Sequence, residues 1–175
     1  GLYFRTPPPD NLQAQALAKV ISDDGKANVA IIAQNTDYGT GFVRYLDPAL
    51  TDAGAKVVAN VTYDEKGTGI DAEVEKVVSA EPDAVALIGY PEDGGKVIAE
   101  MIKQGAGPSD VTIYVTDGMQ SNELYQAVDE SDPAVTAGIR GTAASAAPES
   151  SSNGDSARLQ VSYPRSVPSQ ARSRP

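Results

Sequence analysis

Asn28-Val29-Ala30-Ile31-Ile32-Ala33 is a continuous apolar run about as long as one strand. A strand with water on one side alternates apolar and polar residues. A strand covered on both faces does not need to, so this run reads as an inner strand of a parallel sheet. Upstream, Leu12, Ala16, Leu17, Val20 and Ile21 fall on one helical face, with Asp10 in place as an N-cap after the stiff run Pro7-Pro8-Pro9. Downstream, Phe42, Val43, Leu46 and Leu50 form a second helical stripe, closed by Gly54 as the glycine past the helix end.

The alternation continues. Lys56 to Tyr63 reads as a strand, and Ile70, Val74, Val77 and Val78 as a helix stopped by Glu81-Pro82. Ala84 to Tyr90 is a second buried strand, followed by a helix through Val97, Ile98, Met101 and Ile102 that ends near Gly105. Val111 to Val115, Asn122 to Val128 and Gly138 to Ala144 complete the series as strand, helix and strand. Strand alternating with helix about five times predicts an α/β fold, an open doubly wound parallel sheet flanked by helices. Right-handed crossovers restrict its layout. With the chain entering near the middle, the strand from Asn28 lies between those from Lys56 and Ala84, and the strand from Val111 lies next out.

Composition narrows the function. The chain has 175 residues, 41% hydrophobic and 22% charged, with no tryptophan and two phenylalanines, so its core rests on aliphatic side chains. A formal net charge of −10 argues against nucleic acid, whose phosphates call for clustered Lys and Arg. With no His and no Cys, the chain lacks Ser-His-Asp and Cys-His catalysis, disulfides, and imidazole or thiolate metal sites. No catalytic residue, metal or cofactor is assigned. Gly39-Thr40-Gly41 is half of a dinucleotide fingerprint, but Arg44 stands where the third glycine belongs. Glu73 and Glu75 sit on opposite helix faces and read as solvated. No apolar run reaches the roughly 18 residues of a membrane helix.

In a doubly wound sheet, ligands bind beyond the carboxyl ends of the strands. Three polar residues fall there: Tyr38 after the first strand, Tyr90 ending the third, and Asp117 after the fourth. They stand in Asn35-Thr36-Asp37-Tyr38-Gly39, Gly89-Tyr90-Pro91-Glu92 and Val115-Thr116-Asp117-Gly118. One reading makes these ordinary strand-to-helix loops, in which Asn, Asp, Gly and Pro serve as turn formers and caps, as Asp37 and Asp93 are expected to do. The other makes them a ligand edge, since two phenols and a carboxylate suit a small molecule bearing an ammonium group.

Several segments together resemble the second lobe of branched-chain amino-acid (Leu/Ile/Val-type) ABC transporter substrate-binding proteins. They are Phe4-Arg5-Thr6-Pro7-Pro8-Pro9-Asp10 with Gln13 and the helix after it, Val29-Ala30-Ile31-Ile32, Asp37-Tyr38-Gly39-Thr40-Gly41, Pro82-Asp83-Ala84-Val85 leading to Gly89-Tyr90, and Thr116-Asp117-Gly118. The similarity runs from about Leu2 to Ala147. It implies one lobe of a type I periplasmic-binding-protein fold, outside the cytoplasm, that binds an amino acid or related compound and delivers it to an ABC permease in the membrane. It also implies that Tyr38 and Tyr90 contact the ligand and that Asp117 holds its α-ammonium group. Family members often carry Glu at the Asp117 position.

The resemblance divides the chain into a crossover or hinge segment over residues 1–9, a ligand-binding lobe over 10–147 and a tail over 148–175. Residues 151–175 hold seven Ser, three Pro and four Arg, a composition expected to stay disordered or to dock only at its start. The opening Gly1-Leu2-Tyr3-Phe4-Arg5 reads like the middle of a strand, as in a processed or truncated product. A lobe without its partner is expected to bind weakly and to self-associate through the surface the partner would cover. Two other functions fit the same scaffold: a ligand-sensing or regulatory domain, and a flavodoxin-like enzyme working through carboxylates or Ser and Lys.

Overall fold

The computed structural model describes residues 9–66, 69–121, 123–132 and 134–143, and the backbone of residues 160–161. Its elements are α1 (Asp10–Asp23), β1 (Asn28–Gln34), α2 (Asp37–Asp52), β2 (Lys56–Tyr63), α3 (Ile70–Ser79), β3 (Ala84–Ile88), α4 (Pro91–Lys103), β4 (Thr112–Val115), α5 (Glu123–Asp129), β5 (Arg140–Ala143) and β6 (Gln160–Val161). A 3₁₀ turn, Asp117–Met119, follows β4. The strands form one sheet in the order β2-β1-β3-β4-β5-β6. The first five are mutually parallel, and β6 pairs antiparallel with β5. The order expected for the first four strands is the order found.

Burial follows position in the sheet. β3 is buried throughout and β1 at every residue but the first, because each has a strand on both sides and helices on both faces. β2 lies at the edge and is mostly half-buried or exposed, with only Tyr63 buried. One face of the sheet packs against α1 and α2 through Leu17, Ile21, Phe42, Leu46 and Leu50, which meet Val29, Ile31 and Ile88. The other face packs against α3, α4 and α5 through Val74, Val77, Ile98, Met101 and Leu124, which meet Ile32, Leu87 and Ile113. Fully burying an aliphatic side chain of this kind contributes roughly 1.5–3 kcal/mol, so the two aliphatic layers supply the main cohesion.

Details at the element ends differ from the sequence expectations. Asp10 is the first residue of α1 and Pro9 holds the cap position, where it makes no side-chain cap. Asp37 likewise opens α2, and Thr36 caps it by accepting from the Gly39 amide at 3.3 Å. β3 stops at Ile88, so Tyr90 is not in the strand but at the N-cap of α4. Ile102, expected on the inner stripe of α4, is 39% exposed. α3 ends as expected before Pro82, but through Glu81 at φ 48°, a left-handed conformation uncommon in a residue with a side chain. The proline disfavours the right-handed helical region for the residue before it.

Of the hinge segment expected over residues 1–9, only Pro9 is among the described residues. The tail lies outside them, apart from the backbone of β6.

Candidate functional site

The carboxyl ends of β1, β3 and β4 bring Tyr38, Tyr90 and Asp117 together. Tyr38 is the second residue of α2, Tyr90 caps α4, and Asp117 opens the 3₁₀ turn after β4. The rings of Tyr38 and Tyr90 lie 5.5 Å apart between centroids with 33° between their planes. The Tyr38 hydroxyl donates to Oγ1 of the buried Thr116 at 2.9 Å. Asp117 accepts from the Gly118 amide at 2.9 Å through Oδ1. A methyl group added to Gly118 would lie 3.0 Å from the Gly89 carbonyl oxygen and 3.4 Å from both the Tyr38 hydroxyl and the Tyr90 ring. The loop after β4 therefore rests directly against the aromatic pair.

The electrostatics keep the phenol neutral. Burial pushes Tyr38 well above the ordinary tyrosine pKa; the Thr116 hydrogen bond opposes this, and the nearby Asp117, Tyr90 and Asp10 add to it. A neutral Tyr38 that donates inward to Thr116 keeps lone pairs on its oxygen for an incoming donor. Tyr90 is 47% exposed and presents its ring at the surface. The edge thus offers an aromatic platform, a hydroxyl oxygen and a carboxylate, a set matched to a small cation with an apolar part.

The sequence leads one to expect a plain turn former or cap at Asp93. Instead this residue is buried, and its Oδ2 accepts from the Tyr63 hydroxyl and, at 3.1 Å, from Nε2 of Gln34. Gln34 in turn accepts from the Thr36 hydroxyl at 3.0 Å. Burial, together with the bond to Asp93, pushes the Tyr63 phenol far up, so it remains a donor. Neither Tyr63 nor Gln34 stands out in the sequence, because each sits at a strand end where a polar residue is ordinary. The one local signal is Gly89, where a methyl group would lie 2.1 Å from the Tyr63 hydroxyl and 2.9 Å from the Asp93 carboxylate.

A second, half-buried cluster joins Asp24 and Arg140 to the buried Tyr114. Both Tyr114 and Arg140 donate to Oδ2 of Asp24, and the guanidinium carbon stands 5.9 Å from the Tyr114 ring centroid. A separate groove between α1 and α2 is lined by Lys19, Tyr45, Pro48 and Asp52, and none of the three edge residues reaches it. Glu73 is not merely solvated but pairs with Lys76 at 2.9 Å, while Glu75 is exposed. Among the described residues no three His, Cys, Asp or Glu side chains gather as a metal site, and no helix is long and apolar enough to cross a membrane.

Comparison with known proteins yields one family and one fold. The sequence profile described as "Periplasmic binding protein" matches residues 2–173. A curated relative, the chemotactic signal transduction system substrate-binding protein BasB of Halobacterium salinarum, is 31% identical over 106 residues, which is 59% of this chain and 25% of that protein. A type 1 periplasmic binding protein of Bordetella pertussis superposes with a TM-score of 0.68 at 24% identity, over 77% of this chain and 34% of its own. An extracellular ligand-binding receptor of Rhodopseudomonas palustris gives 0.72 at 20%, over 81% and 37%. The branched-chain amino acid transporter substrate-binding protein LivJ of Streptococcus pneumoniae, solved with isoleucine, gives 0.68 at 21%, over 82% and 39%. The five parallel strands with their flanking helices are the fold of these type 1 proteins. The chain spans between a quarter and two-fifths of the length of these relatives.

Proposed function

The chain belongs to the periplasmic binding protein family, and on that footing we propose that it forms one lobe of an extracytoplasmic amino-acid receptor. Tyr38, Tyr90 and Asp117 are its half of the ligand cleft. The observation that carries this reading is the aromatic pair at 5.5 Å with Asp117 beside it, beyond the carboxyl ends of parallel strands. Asp117 holds the ligand's ammonium group, Tyr38 accepts from it, and the exposed Tyr90 ring covers the apolar part. Similarity to a protein solved with isoleucine supports an amino acid as the ligand class.

Family and fold are those of solute-binding proteins, which are not enzymes. The assigned work is therefore capture and release, with no bond made or broken. Delivery of the captured ligand to an ABC permease in the membrane is the first reading of its fate, supported by the likeness to transporter-associated proteins. A second reading, ligand sensing on the same scaffold, is supported by the relative from a chemotactic signalling system.

Calorimetric titration of the chain with a panel of amino acids tests the proposal. The expected result is weak binding of one or more apolar amino acids, abolished in Asp117→Asn while the thermal melt is retained. Tight binding of a sugar or nucleotide with no response to any amino acid at millimolar concentration would sink it.

A further inference from the structure

Behind the aromatic pair, the buried Tyr63, Asp93 and Gln34 and the half-buried Thr36, from four elements, form one hydrogen-bonded line. The Tyr63 hydroxyl, at the end of β2, donates to Oδ2 of Asp93 in α4. The same oxygen accepts from Nε2 of Gln34, at the end of β1, at 3.1 Å. Oε1 of Gln34 accepts from the Thr36 hydroxyl at 3.0 Å, and Thr36 is the cap of α2. A backbone bond of 2.8 Å from the Asn35 amide to the Tyr63 carbonyl closes the same corner.

Two members of this line, Thr36 and Asp93, sit beside the two tyrosines. Thr36 precedes Tyr38 by two residues, and its hydroxyl accepts the Gly39 amide directly after that tyrosine. Asp93 is the third helical residue of α4, whose cap is Tyr90, and the Gly94 amide donates back to the Tyr90 carbonyl at 2.8 Å. Gly89, just before Tyr90, has no room for a methyl group against Tyr63 and Asp93. A carboxylate that is only 6% exposed must be matched by donors, and here the two donors come from β1 and β2. The first turn of α4 also favours a negative charge through its unpaired amides. Asp93 is thus seated by its helix and held by two strands.

We propose that Asp93 is a positioning residue for the ligand edge. Through Tyr63 and Gln34 it fixes the first turns of α2 and α4 relative to each other and so sets the spacing of Tyr38 and Tyr90. It touches no ligand itself. The role of that spacing in recognition rests on the proposed amino-acid cleft; the spacing itself does not.

Nuclear Overhauser contacts between the Tyr38 and Tyr90 rings, in the labelled chain without ligand, measure the spacing directly. Two variants each remove one donor to Asp93: Tyr63→Phe, which is nearly isosteric, and Gln34→Met, which keeps the length of the side chain. Leu46→Ala is the control, since it loosens the far part of α2 without touching the line. The expected result is a severalfold fall of the ring-to-ring contacts in the first two and no change in the control. Unchanged contacts in both, or an equal fall in Leu46→Ala, would overturn the positioning role and leave only a contribution to stability. Calorimetry on the unaltered chain reads the ligand assignment separately: altered spacing with no amino-acid response would remove the ligand reading and leave Asp93 as a positioning residue.

Discussion

The Tyr38 hydroxyl donates to Oγ1 of Thr116 at 2.9 Å, joining the first turn of α2 to the end of β4 across 78 residues of sequence. Thr116 is fully buried, and Asp117 comes directly after it. The bond thus ties the candidate phenol to the backbone that carries the candidate carboxylate.

Thr116→Val removes the acceptor and keeps the shape. The Tyr38 hydroxyl then loses its partner, at a cost of about 1 kcal/mol, the net value of a typical intramolecular hydrogen bond. Urea denaturation should show that loss with an unchanged slope, and any amino-acid binding should weaken with it. A variant as stable as the parent would mean that the hydroxyl finds water without cost.

Gly39→Ala should be among the most damaging small substitutions. A methyl group there would stand 2.0 Å from the carbonyl oxygen of Gln34, which is backbone and cannot swing aside. Overpacking of this kind costs roughly 1–3 kcal/mol. Gly41→Ala, two residues on in the same helix, meets nothing within 4 Å and should be neutral or slightly stabilising. Thermal melts of the pair should separate clearly; similar melting temperatures would contradict the packing at the start of α2.

Asp24 should link stability to acid pH. Burial raises its pKa, but hydrogen bonds from Arg140 and Tyr114 and the positive charge of Arg140 outweigh that and hold it below the ordinary value. A carboxyl with a lowered folded pKa adds stability that is present above its unfolded value, near about 3.9 for Asp, and is lost as pH falls through the folded value. Denaturation midpoints measured from roughly neutral to roughly pH 3 should fall, and Asp24→Asn should flatten that part of the profile. An identical acid slope in the variant would assign the effect to other carboxyls.

Most of the fold was legible because its signals are local. The apolar run from Val29 to Ala33, the stripe Phe42, Leu46 and Leu50, and the stops at Gly54 and Gly105 each lie within one element or at its end, and the elements fall within a few residues of the expected bounds. Cap positions were less legible. Asp10 and Asp37 suit a cap by residue type, but the caps fell to Pro9 and Thr36, one residue earlier. Such a shift of one residue is beyond what periodicity resolves.

The site divides the same way. Tyr38, Tyr90 and Asp117 stood out because a doubly wound sheet gathers the ends of its strands, and the structure brings them to one edge. Asp93 did not, since an acidic residue in a first helical turn is ordinary at the surface. Its burial depends on Gln34, 59 residues away, and Tyr63, 30 residues away.

By itself, then, the sequence determined the elements and their alternation, because apolar periodicity is read within a window of one helix or strand, and crossover rules, with the chain entering near the middle, gave the order of the first four strands. Only the tertiary structure decided which polar side chains meet. Tyr38 finds Thr116 and Asp93 finds Tyr63 because the order of the strands brings distant loops to one edge. Once water is excluded there, each buried polar group must take the partner that packing presents to it.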